Sequence, residues 1–255
     1  MIPRPIPALT ALSILVTRPT EQGESLCARI AAMGGEGIAF PSIAIEPLPG
    51  TPLAETFDLF IFVSVHAVRH GLARIQKSAT SHVAAIGPAT AKALAAANMP
   101  ANVITPAPHN SEALLALPEL ANVGGQRILI VRGEGGRNLL RDSLLERGAS
   151  VEYLDVYRRV RAEHLPTATA ALEQRWQQEG IGIVTITSVE ILDNLLTTLS
   201  ALGRELLKTT PFVAASERVA SAAQAKGLVG TCVQARAADD DSILGAVARW
   251  HARAK

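Results

Sequence analysis

Two segments of the chain, residues 12–48 and 126–162, are copies of one unit and align without a gap. Each begins with a short apolar run that ends in an arginine, Arg18 or Arg132, and such a run predicts a buried strand. Apolar residues at helical spacing follow, and a glycine closes the helical stretch in both copies, as is typical of a left-handed helix end. Each copy is therefore predicted to form a strand, a loop and a helix that leads into a further strand.

The repeat continues beyond these segments with small shifts in offset. Each copy contains three more apolar, β-branched or aromatic runs, each followed by polar residues and a helical stretch. These runs are residues 59–65, 83–87 and 103–105 in the first copy and 183–189, 212–216 and 232–234 in the second. Five strand–helix steps per copy predict an α/β fold with two parallel sheets. A single larger sheet is the alternative, but 255 residues agree better with two domains of about 150 residues each.

Composition limits the classes of function. Hydrophobic residues make up 48% of the chain and charged residues 18%, which predicts folded domains rather than disorder. The formal net charge of +1 excludes a strong general attraction to nucleic acid or other polyanions. The cysteines, Cys27 and Cys232, form no CxxC pair, so we expect two small buried thiols in a reducing cytosol and no disulfide.

The N-terminal segment, Met1–Val16, raises the question of a signal peptide because it contains one arginine and a short apolar stretch. Three prolines interrupt this segment, and its apolar end is needed as the first strand of the repeat. No run in the chain approaches the roughly 18 to 20 apolar residues of a membrane span. We therefore expect a soluble, unprocessed, cytoplasmic protein that contacts neither a membrane nor nucleic acid.

Two segments are longer than ordinary strands. Residues 38–48 and 151–161 would each reach about 35 Å if extended at about 3.3 Å per residue, whereas strands usually have about 5 or 6 residues. These segments are expected to run from one domain into the other. Pro41 and Pro47 predict that the first of them is an edge strand or a linker.

Ligands of parallel sheets bind beyond the carboxyl ends of the strands, where loops meet helix N-termini. Six loops of this kind are small, hydroxyl-bearing or basic. They are residues 18–20, 64–66, 87–90, 132–137, 188–190 and 216–218. A serine or threonine before a helix is also an ordinary N-cap, and the glycine-rich residues 133–136 could form only a tight turn, because no GxGxxG or phosphate-loop pattern is present. Recurrence at equivalent places in both copies favours anion binding.

Histidines and acidic residues give little support to a metal site. His66 and His70 lie four residues apart on a predicted helix, but no third ligand is evident, so we expect solvated or capping histidines. Asp239–Asp241 are expected to begin the last helix, where acidic side chains complement the helix dipole. Nucleophilic catalysis has no support either, since no GxSxG or HExxH pattern occurs and Cys27 lies within a predicted helix without an evident base.

Tyr157 lies in the second long segment, where strand alternation puts it on the same face as Arg159 and opposite Val156 and Arg158. If this strand joins the domains, the Tyr157 hydroxyl could face a cleft between them and serve in proton transfer or hydrogen bonding. A packed aromatic side chain beside the hinge is the alternative interpretation.

Together these segments resemble the uroporphyrinogen-III synthase family over nearly the whole chain. The most specific part of the resemblance is RGEGGR (132–137) with the helix that follows and the VYRR strand (156–159). Further matching stretches are ILVTRP (14–19), FVSVHAV (62–68), AAIGPATAKAL (84–94), ITSVE (186–190) and ASERVA (215–220).

The resemblance implies two flavodoxin-like α/β domains with parallel sheets, joined by a pair of extended strands. The first domain is expected to be discontinuous and to contain residues 1–40 and 160–255, with residues 41–159 in the second. The residue pattern alone also allows two contiguous halves.

The resemblance also implies an activity. The family's substrate is hydroxymethylbilane, a linear tetrapyrrole with acetate and propionate groups on every ring, which is closed to uroporphyrinogen III with loss of water and inversion of ring D. A cleft between two domains, lined with helix N-termini that hold carboxylates, would favour this strained closure. The expected enzyme is a monomeric cyclising hydro-lyase of porphyrin and heme biosynthesis without metal or cofactor. A transient contact with the preceding enzyme of the pathway is compatible with the sequence.

Carried over position by position, the resemblance also implies site residues. Tyr157 matches the family's tyrosine that is expected to assist the leaving hydroxyl. The residues expected to contact the substrate are Arg18, Ser64, Gly87, Thr90, Arg132, Gly133, Glu134, Ser188, Ser216 and Arg218. Some relatives have a GPTTA-like loop where this chain has SERVA (216–220), so Ser216 or Arg218 is expected to replace the contact of the missing threonine.

A second hypothesis belongs to another class of protein. A two-domain tetrapyrrole or small-anion sensor without catalysis, such as the effector-binding part of a regulator, would need the same loops. Both ends of the chain are occupied by the repeat, so we expect no helix-turn-helix module. Tight tetrapyrrole binding without product would favour the sensor, and formation of the type III isomer would favour the enzyme.

Overall fold

The computed structural model describes residues 9–254 and shows strands that alternate with helices. Residues 1–8, the first part of the segment considered above as a signal peptide, lie outside the described residues. The strands are β1 (Ser13–Val16), β2 (Glu36–Ala39), β3 (Ile43–Pro47), β4 (Leu59–Phe62), β5 (His82–Ala85), β6 (Val103–Ile104), β7 (Arg127–Gly133), β8 (Ser150–Arg161), β9 (Ile183–Ile186), β10 (Phe212–Ala214) and β11 (Cys232–Gln234). The α-helices are α1 (Thr20–Ala32), α2 (Val65–Gly71), α3 (Pro88–Ala96), α4 (Ser111–Leu115), α5 (Leu139–Glu146), α6 (Pro166–Glu179), α7 (Val189–Thr198), α8 (Ala201–Thr209), α9 (Glu217–Ala225) and α10 (Asp240–Ala254).

Residue contacts divide the chain into two units. The first unit ends at Ala44 and resumes at Val160, and the second comprises Ile45–Arg159. The first unit contains a five-stranded parallel sheet in the order β11-β10-β9-β1-β2. Numbered along its own succession of strands, this sheet has the 2-1-3-4-5 order of flavodoxin-like doubly wound sheets.

The second unit contains the strands of a six-stranded sheet in the order β3-β8-β7-β4-β5-β6. The strands from β8 to β6 are parallel and have the same 2-1-3-4-5 order, with β7 as the first. β3 runs antiparallel to β8, because the N–H of Leu48 donates to the carbonyl of Val156 and that of Ala162 donates to the carbonyl of Ser42. The prediction of an α/β fold with two sheets is confirmed, and the second sheet has a sixth, antiparallel strand in addition.

The two copies of the repeat are interleaved between the sheets. In the first sheet, β1 of the first copy pairs with β2 on one side and with β9 of the second copy on the other, where Ile14 lies opposite Ile183. In the second sheet, β7 of the second copy pairs with β8 on one side and with β4 of the first copy on the other, where Ile128 lies opposite Leu59. Each sheet therefore combines the opening strands of one copy with the later strands of the other, which is not the arrangement of two contiguous halves.

The two long segments differ from each other. β8 is one continuous strand of 12 residues, as predicted. Residues 38–48 are not one strand but the end of β2 and the whole of β3, separated at Pro41, so that part of the prediction is wrong. Proline has no N–H for a ladder, and the neighbouring amides of Phe40 and Ser42 donate instead to Val16 and Thr17. The predicted edge position is confirmed, since β2 and β3 each lie at the edge of a sheet.

Both faces of the second sheet are buried beneath helices. On β4, Phe60 and Phe62 pack with Leu94 of α3 on one face, whereas Ile61 packs with Leu144 of α5 on the other. This explains the continuous apolar run, because every residue of a strand covered on both faces lies in the core. In the first unit, α1 and α10 pack their apolar faces against the sheet.

Helix ends follow the sequence predictions. Gly34 after α1 and Gly148 after α5 have φ of +81° and +83°, the left-handed conformation expected of them. Asp239 caps α10, because the N–H of Ser242 donates to its carboxylate at 2.8 Å. The acidic run therefore begins the last helix, as predicted.

Cys27 and Cys232 are free and partly exposed rather than fully buried. Burial still raises the pKa of each thiol, so neither has the lowered pKa of a catalytic cysteine. Within residues 9–254, no helix combines the length and the apolar character that crossing a membrane requires.

Candidate functional site

A pocket of about 200 Å³ opens at the carboxyl end of β7 in the second unit. β7 and β4 are neighbours whose connections leave in opposite directions along the sheet, the position at which doubly wound sheets bind ligands. The glycine-rich loop after β7 and side chains of β8 form the wall of this pocket. Three guanidinium groups and two phenols line it, from Arg132, Arg137, Arg159, Tyr153 and Tyr157.

Tyr157 is 8% exposed, and its hydroxyl lies 3.1 Å from the Oγ of Ser64. Ser64 is the N-cap of α2, and its Oγ accepts the N–H of Ala67 at 3.0 Å. Because this oxygen already accepts one hydrogen, the serine proton can donate to the Tyr157 oxygen, which leaves the tyrosine proton for a ligand. The structure thus brings together two of the predicted site residues, and Ser64 is an N-cap as well.

A break in the register between β7 and β8 places Tyr157 over the end of β7. Arg132 pairs with Asp155 but Gly133 pairs with Tyr157, so β8 has one extra residue at this point. A Cβ on Gly133 would lie 2.6 Å from atoms of the Tyr157 ring, so this close approach requires glycine. The N–H of Glu134 donates to the carbonyl of Tyr157 at 2.7 Å. Gly133 and Glu134 therefore position the tyrosine, and this N–H is not available to an anion.

Arg132 is held within the wall of the pocket. Its Nε donates to the carboxylate of Asp155 at 2.9 Å, and its guanidinium lies 3.7 Å from the centre of the Tyr153 ring. Burial raises the pKa of the Tyr153 phenol, although the charge of Arg132 acts in the opposite direction. Arg132 thus contributes positive charge to the pocket from a fixed position.

The loop after Gly133 presents backbone donors. In the described part of the chain, the N–H groups of Gly135, Gly136 and Arg137 have no hydrogen-bond acceptor. All three residues are exposed and line the pocket. Successive amides at a turn with positive φ, such as Gly135 at +78° and Gly136 at +96°, can bind an anionic oxygen.

His66 and His70 lie on α2 beside Tyr157, with ring centroids 5.6 and 6.3 Å from that of the tyrosine. The Nδ1 of His66 is buried and has no hydrogen-bond partner among the residues that the structure describes. Burial lowers the pKa of His66, and the charge of His70 adds to the effect. Burial and Arg69 lower the pKa of His70. The side chain of His66 is therefore half-buried, and at its Nδ1 the expectation of a solvated or capping histidine does not hold. Residues 9–254 contain no group of three or more histidine, cysteine, aspartate or glutamate side chains that could hold a metal ion.

Gly87 and Thr90 lie at the start of α3. Gly87 is the N-cap residue with φ of +86°, and Pro88 is the first residue of the helix. Thr90 is 3% exposed as a residue and lies on the buried side of α3 with Ala91 and Leu94. The substrate contacts of Gly87 and Thr90 stay predictions.

The predicted site residues of the first unit follow β1, β9 and β10 at the carboxyl end of its sheet. Arg18 forms an ion pair with Asp240, and its side chain is only 11% exposed. Ser188 and Ser216 are N-caps that accept the N–H of the third residue after them, at 3.1 and 3.4 Å. Arg218 is exposed in the first turn of α9. The hydroxyls are therefore used in capping, as the alternative interpretation expected, and the guanidinium of Arg18 is used within the unit.

Sequence reasoning missed several residues of the pocket. Tyr153 precedes Tyr157 by four residues on β8 and also lines the pocket, but the extra residue between Asp155 and Tyr157 interrupts strand alternation. Sequence spacing alone therefore does not predict that both phenols line one pocket. The partial burial of the His66 ring carries no sequence signal, because it depends on the tertiary contact of α2 with Tyr157.

Fold and site together define a class of protein. It is a doubly wound α/β protein of two units, with a cationic pocket lined by Tyr157 at the switch point of one sheet. The model of a family described as uroporphyrinogen-III synthase HemD matches residues 24–244. The chain belongs to this family.

Relatives and solved structures agree with this assignment. Uroporphyrinogen-III synthase of Salmonella typhimurium is 37% identical over 92% of this chain and all of its own length, and that of Escherichia coli K12 is 35% identical over the same shares. Crystal structures of a uroporphyrinogen III synthase mutant from Thermus thermophilus and of uroporphyrinogen-III synthetase from Helicobacter pylori share the fold. The Thermus thermophilus structure has a TM-score of 0.56 at 22% identity, and the match covers 95% of this chain and 98% of that one. The Helicobacter pylori structure has a TM-score of 0.63 at 15% identity, and the match covers 96% of this chain and 100% of that one. The names of the relatives favour the enzyme over the sensor.

Proposed function

We propose that this protein cyclises hydroxymethylbilane to uroporphyrinogen III, with loss of water and inversion of ring D, as an enzyme of porphyrin and heme biosynthesis. Family membership supports the reaction. The observation that carries the proposal is the Tyr157 hydroxyl, which Ser64 contacts at 3.1 Å on the wall of a pocket with three arginines. This arrangement provides a proton donor next to groups that bind carboxylates.

The pocket matches the charge of the substrate. Hydroxymethylbilane has acetate and propionate groups on every ring, and its carboxylates need donors more than a hydrophobic enclosure. Guanidinium groups and the exposed N–H groups of residues 135–137 are such donors. The same chemistry is proposed for the first unit, where Ser188, Ser216 and Arg218 lie at the carboxyl end of the sheet.

Tyr157 is the proposed proton donor for the first step. Its proton passes to the hydroxyl on the terminal carbon, the carbon–oxygen bond breaks, and water leaves as the pyrrole nitrogen electrons form an azafulvene. The Ser64 hydroxyl then donates to the phenolate and stabilises it. The substituted position of ring D attacks the azafulvene, and the spiro intermediate fragments and recloses. The proton released when the ring becomes aromatic again restores the tyrosine.

Inversion is a matter of binding geometry. Without the enzyme the substrate closes without inversion, so the protein has to stabilise the strained approach of ring D more than the easier closure. Fixed carboxylate positions can do this, because each carboxylate that is held restricts the rings to which it belongs. No metal or organic cofactor has a role in these steps.

The product isomer tests the proposal. Purified protein supplied with hydroxymethylbilane is expected to yield type III uroporphyrinogen, identified after oxidation by chromatography against both isomers. A buffer control gives the type I isomer of spontaneous closure. Formation of type I alone in the presence of the protein would refute the proposed function.

We further propose a monomer in the cytosol that meets the preceding enzyme of the pathway only transiently. The free thiols of Cys27 and Cys232 agree with a reducing compartment. Light scattering during size-exclusion chromatography is expected to give the 26.8 kDa of one chain, and a dimer mass would contradict the proposal.

A further inference from the structure

The arginines of the pocket differ in how firmly they are held. Arg132 is bound to Asp155 and stacked on Tyr153, and its side chain is only 13% exposed. Arg137 is the opposite case, because its side chain is 66% exposed. A stacked guanidinium of a side chain that is 13% exposed stays in a fixed position, whereas one of a side chain that is 66% exposed can exchange its partner.

The partner of Arg137 is Glu112, a residue of α4. Nη1 and Nη2 of Arg137 donate to the two carboxylate oxygens of Glu112 at 2.5 and 3.1 Å, the bidentate geometry of arginine and carboxylate. The Glu112 side chain is 49% exposed. Ser111, the residue before it, lines the pocket together with Arg137. The ion pair therefore lies at the rim of the pocket and connects α4 to the glycine-rich loop.

The ion pair is suited to exchange. Exposed ion pairs contribute little to stability because water and salt compete with them. The hydrogen bond from Arg137 lowers the pKa of the Glu112 carboxyl, which keeps it ionised near neutral pH. A carboxylate of the ligand has the same charge and geometry, so it can replace Glu112 without leaving either arginine nitrogen unpaired.

We infer that Arg137 is a specificity-determining residue of the pocket and that it receives a substrate carboxylate in exchange for Glu112. This inference rests on the proposed function for the identity of the ligand. The unpaired N–H groups of Gly135 and Gly136 lie in the same loop and bind the same carboxylate group or its neighbour. Glu112 competes with the ligand for Arg137, and it shields the guanidinium when the pocket is unoccupied.

Ligand titration of single and double variants tests the exchange. The probe is uroporphyrin III, the fluorescent oxidised product with eight carboxylates, so that binding is measured without catalysis. Glu112→Gln is expected to tighten binding by about two- to five-fold, because it weakens the competing ion pair. Arg137→Gln is expected to weaken binding by about ten-fold through loss of a charge-assisted pair. In the Arg137→Gln background, Glu112→Gln is expected to have no effect.

Glu152→Gln is the matched control. Glu152 forms an ion pair with Arg127 in the same unit, at 3.1 Å and with 46% exposure, and it does not line the pocket. The control removes the same charge, so it measures the general electrostatic effect. The inference is overturned if Glu112→Gln binds no more tightly than Glu152→Gln, or if its effect persists without Arg137. Failure of the proposed function is seen separately, as a wild-type protein that forms no type III isomer, and the titration still decides the exchange.

Discussion

Ser64 and Ser188 occupy equivalent positions in the two copies of the repeat, yet only one of them lies beside a tyrosine. Both are extended N-cap residues, which accept the N–H of Ala67 and Ile191 at 3.0 and 3.1 Å. Only Ser64 also contacts a phenol, that of Tyr157, at 3.1 Å; Ser188 has no such partner within residues 9–254. The cap is a property of the repeat, whereas the proposed acid–base pair depends on the strand that lies opposite.

The origin of this difference is visible in the alignment of the copies. The repeat places Ile43 where the second copy has Tyr157. In the second copy β8 continues through this position next to β7, whereas in the first copy β2 ends at Ala39 before Pro41. Within the described residues, the sheet of the first unit therefore has no strand beside β1 that reaches the equivalent place, since Ile43 begins β3 of the other sheet. We propose that duplication supplied two sheet ends suited to anion binding, and that divergence of one strand supplied the proton donor.

The largest effect is expected for Tyr157→Phe. Loss of the hydroxyl removes the proposed acid and should slow formation of the type III isomer by about 100-fold, the lower part of the range for an acid–base group, or by somewhat less. The ring that packs against Gly133 is kept, so the melting temperature should change little. Turnover is measured by product isomer and rate under single-turnover conditions.

Tyr153→Phe is the matched control for this change. Its hydroxyl lies 3.3 Å from the side chain of Asn138 and has no contact with Ser64 within the described residues. The control is expected to retain most of the activity. If Tyr157→Phe also turns over at the wild-type rate, Tyr157 has no part in the mechanism, although the interpretation of the fold is unaffected.

Much of the fold could be predicted because it depends on local patterns. Apolar runs before Arg18 and Arg132 located two interior strands of the sheets, and the glycines after α1 and α5 located helix ends. The interleaving of the copies could not be read from these patterns, since periodicity does not say which strands pair; it followed from the resemblance alone. The expected domain limits at residues 40/41 and 159/160 stay a prediction, and we propose the two units of the structure as the domains.

The site was less predictable because it depends on register and packing. The extra residue on β8 that sets Tyr157 opposite Gly133 has no signature in a run of twelve extended residues. The burial of Thr90 is also a tertiary effect, since the residue lies on the face of α3 that contacts the core. Arg137 and Glu112 are 25 residues apart in sequence, so only the structure shows that they form an ion pair.

An intermediate effect is expected from the two serines themselves. Ser64→Ala and Ser188→Ala each remove an N-cap and should each lower the free energy of unfolding by about 0.5 to 2 kcal/mol. Only Ser64→Ala should in addition slow turnover, by about five-fold, because it removes the hydrogen bond that stabilises the Tyr157 phenolate. Urea denaturation gives the first quantity and single-turnover kinetics the second. Equal slowing by both substitutions would show that helix capping alone explains the effect.

The smallest effect is expected on the pH dependence of stability. It concerns the residues two positions after the caps, which are His66 in one copy and Glu190 in the other. The pKa of His66 is lower in the folded protein than in the unfolded chain, mainly because of burial. The unfolded chain therefore binds more protons at acidic pH. The stabilisation is complete above the unfolded pKa, about 6.5, and is lost as the pH falls toward the lower folded pKa.

His66→Gln separates this contribution from the others. It removes one of the two histidine titrations on α2 and leaves that of His70. The variant should therefore lose less stability than the wild type as the pH falls from about 7 to about 5. This window is set by the pKa of an ordinary histidine, about 6.5. The free energy of unfolding in urea is measured at several values of pH, and the two proteins are compared by slope rather than by absolute stability. Identical slopes would mean that the imidazole of His66 is hydrated in solution, and that its burial beside Tyr157 is not maintained.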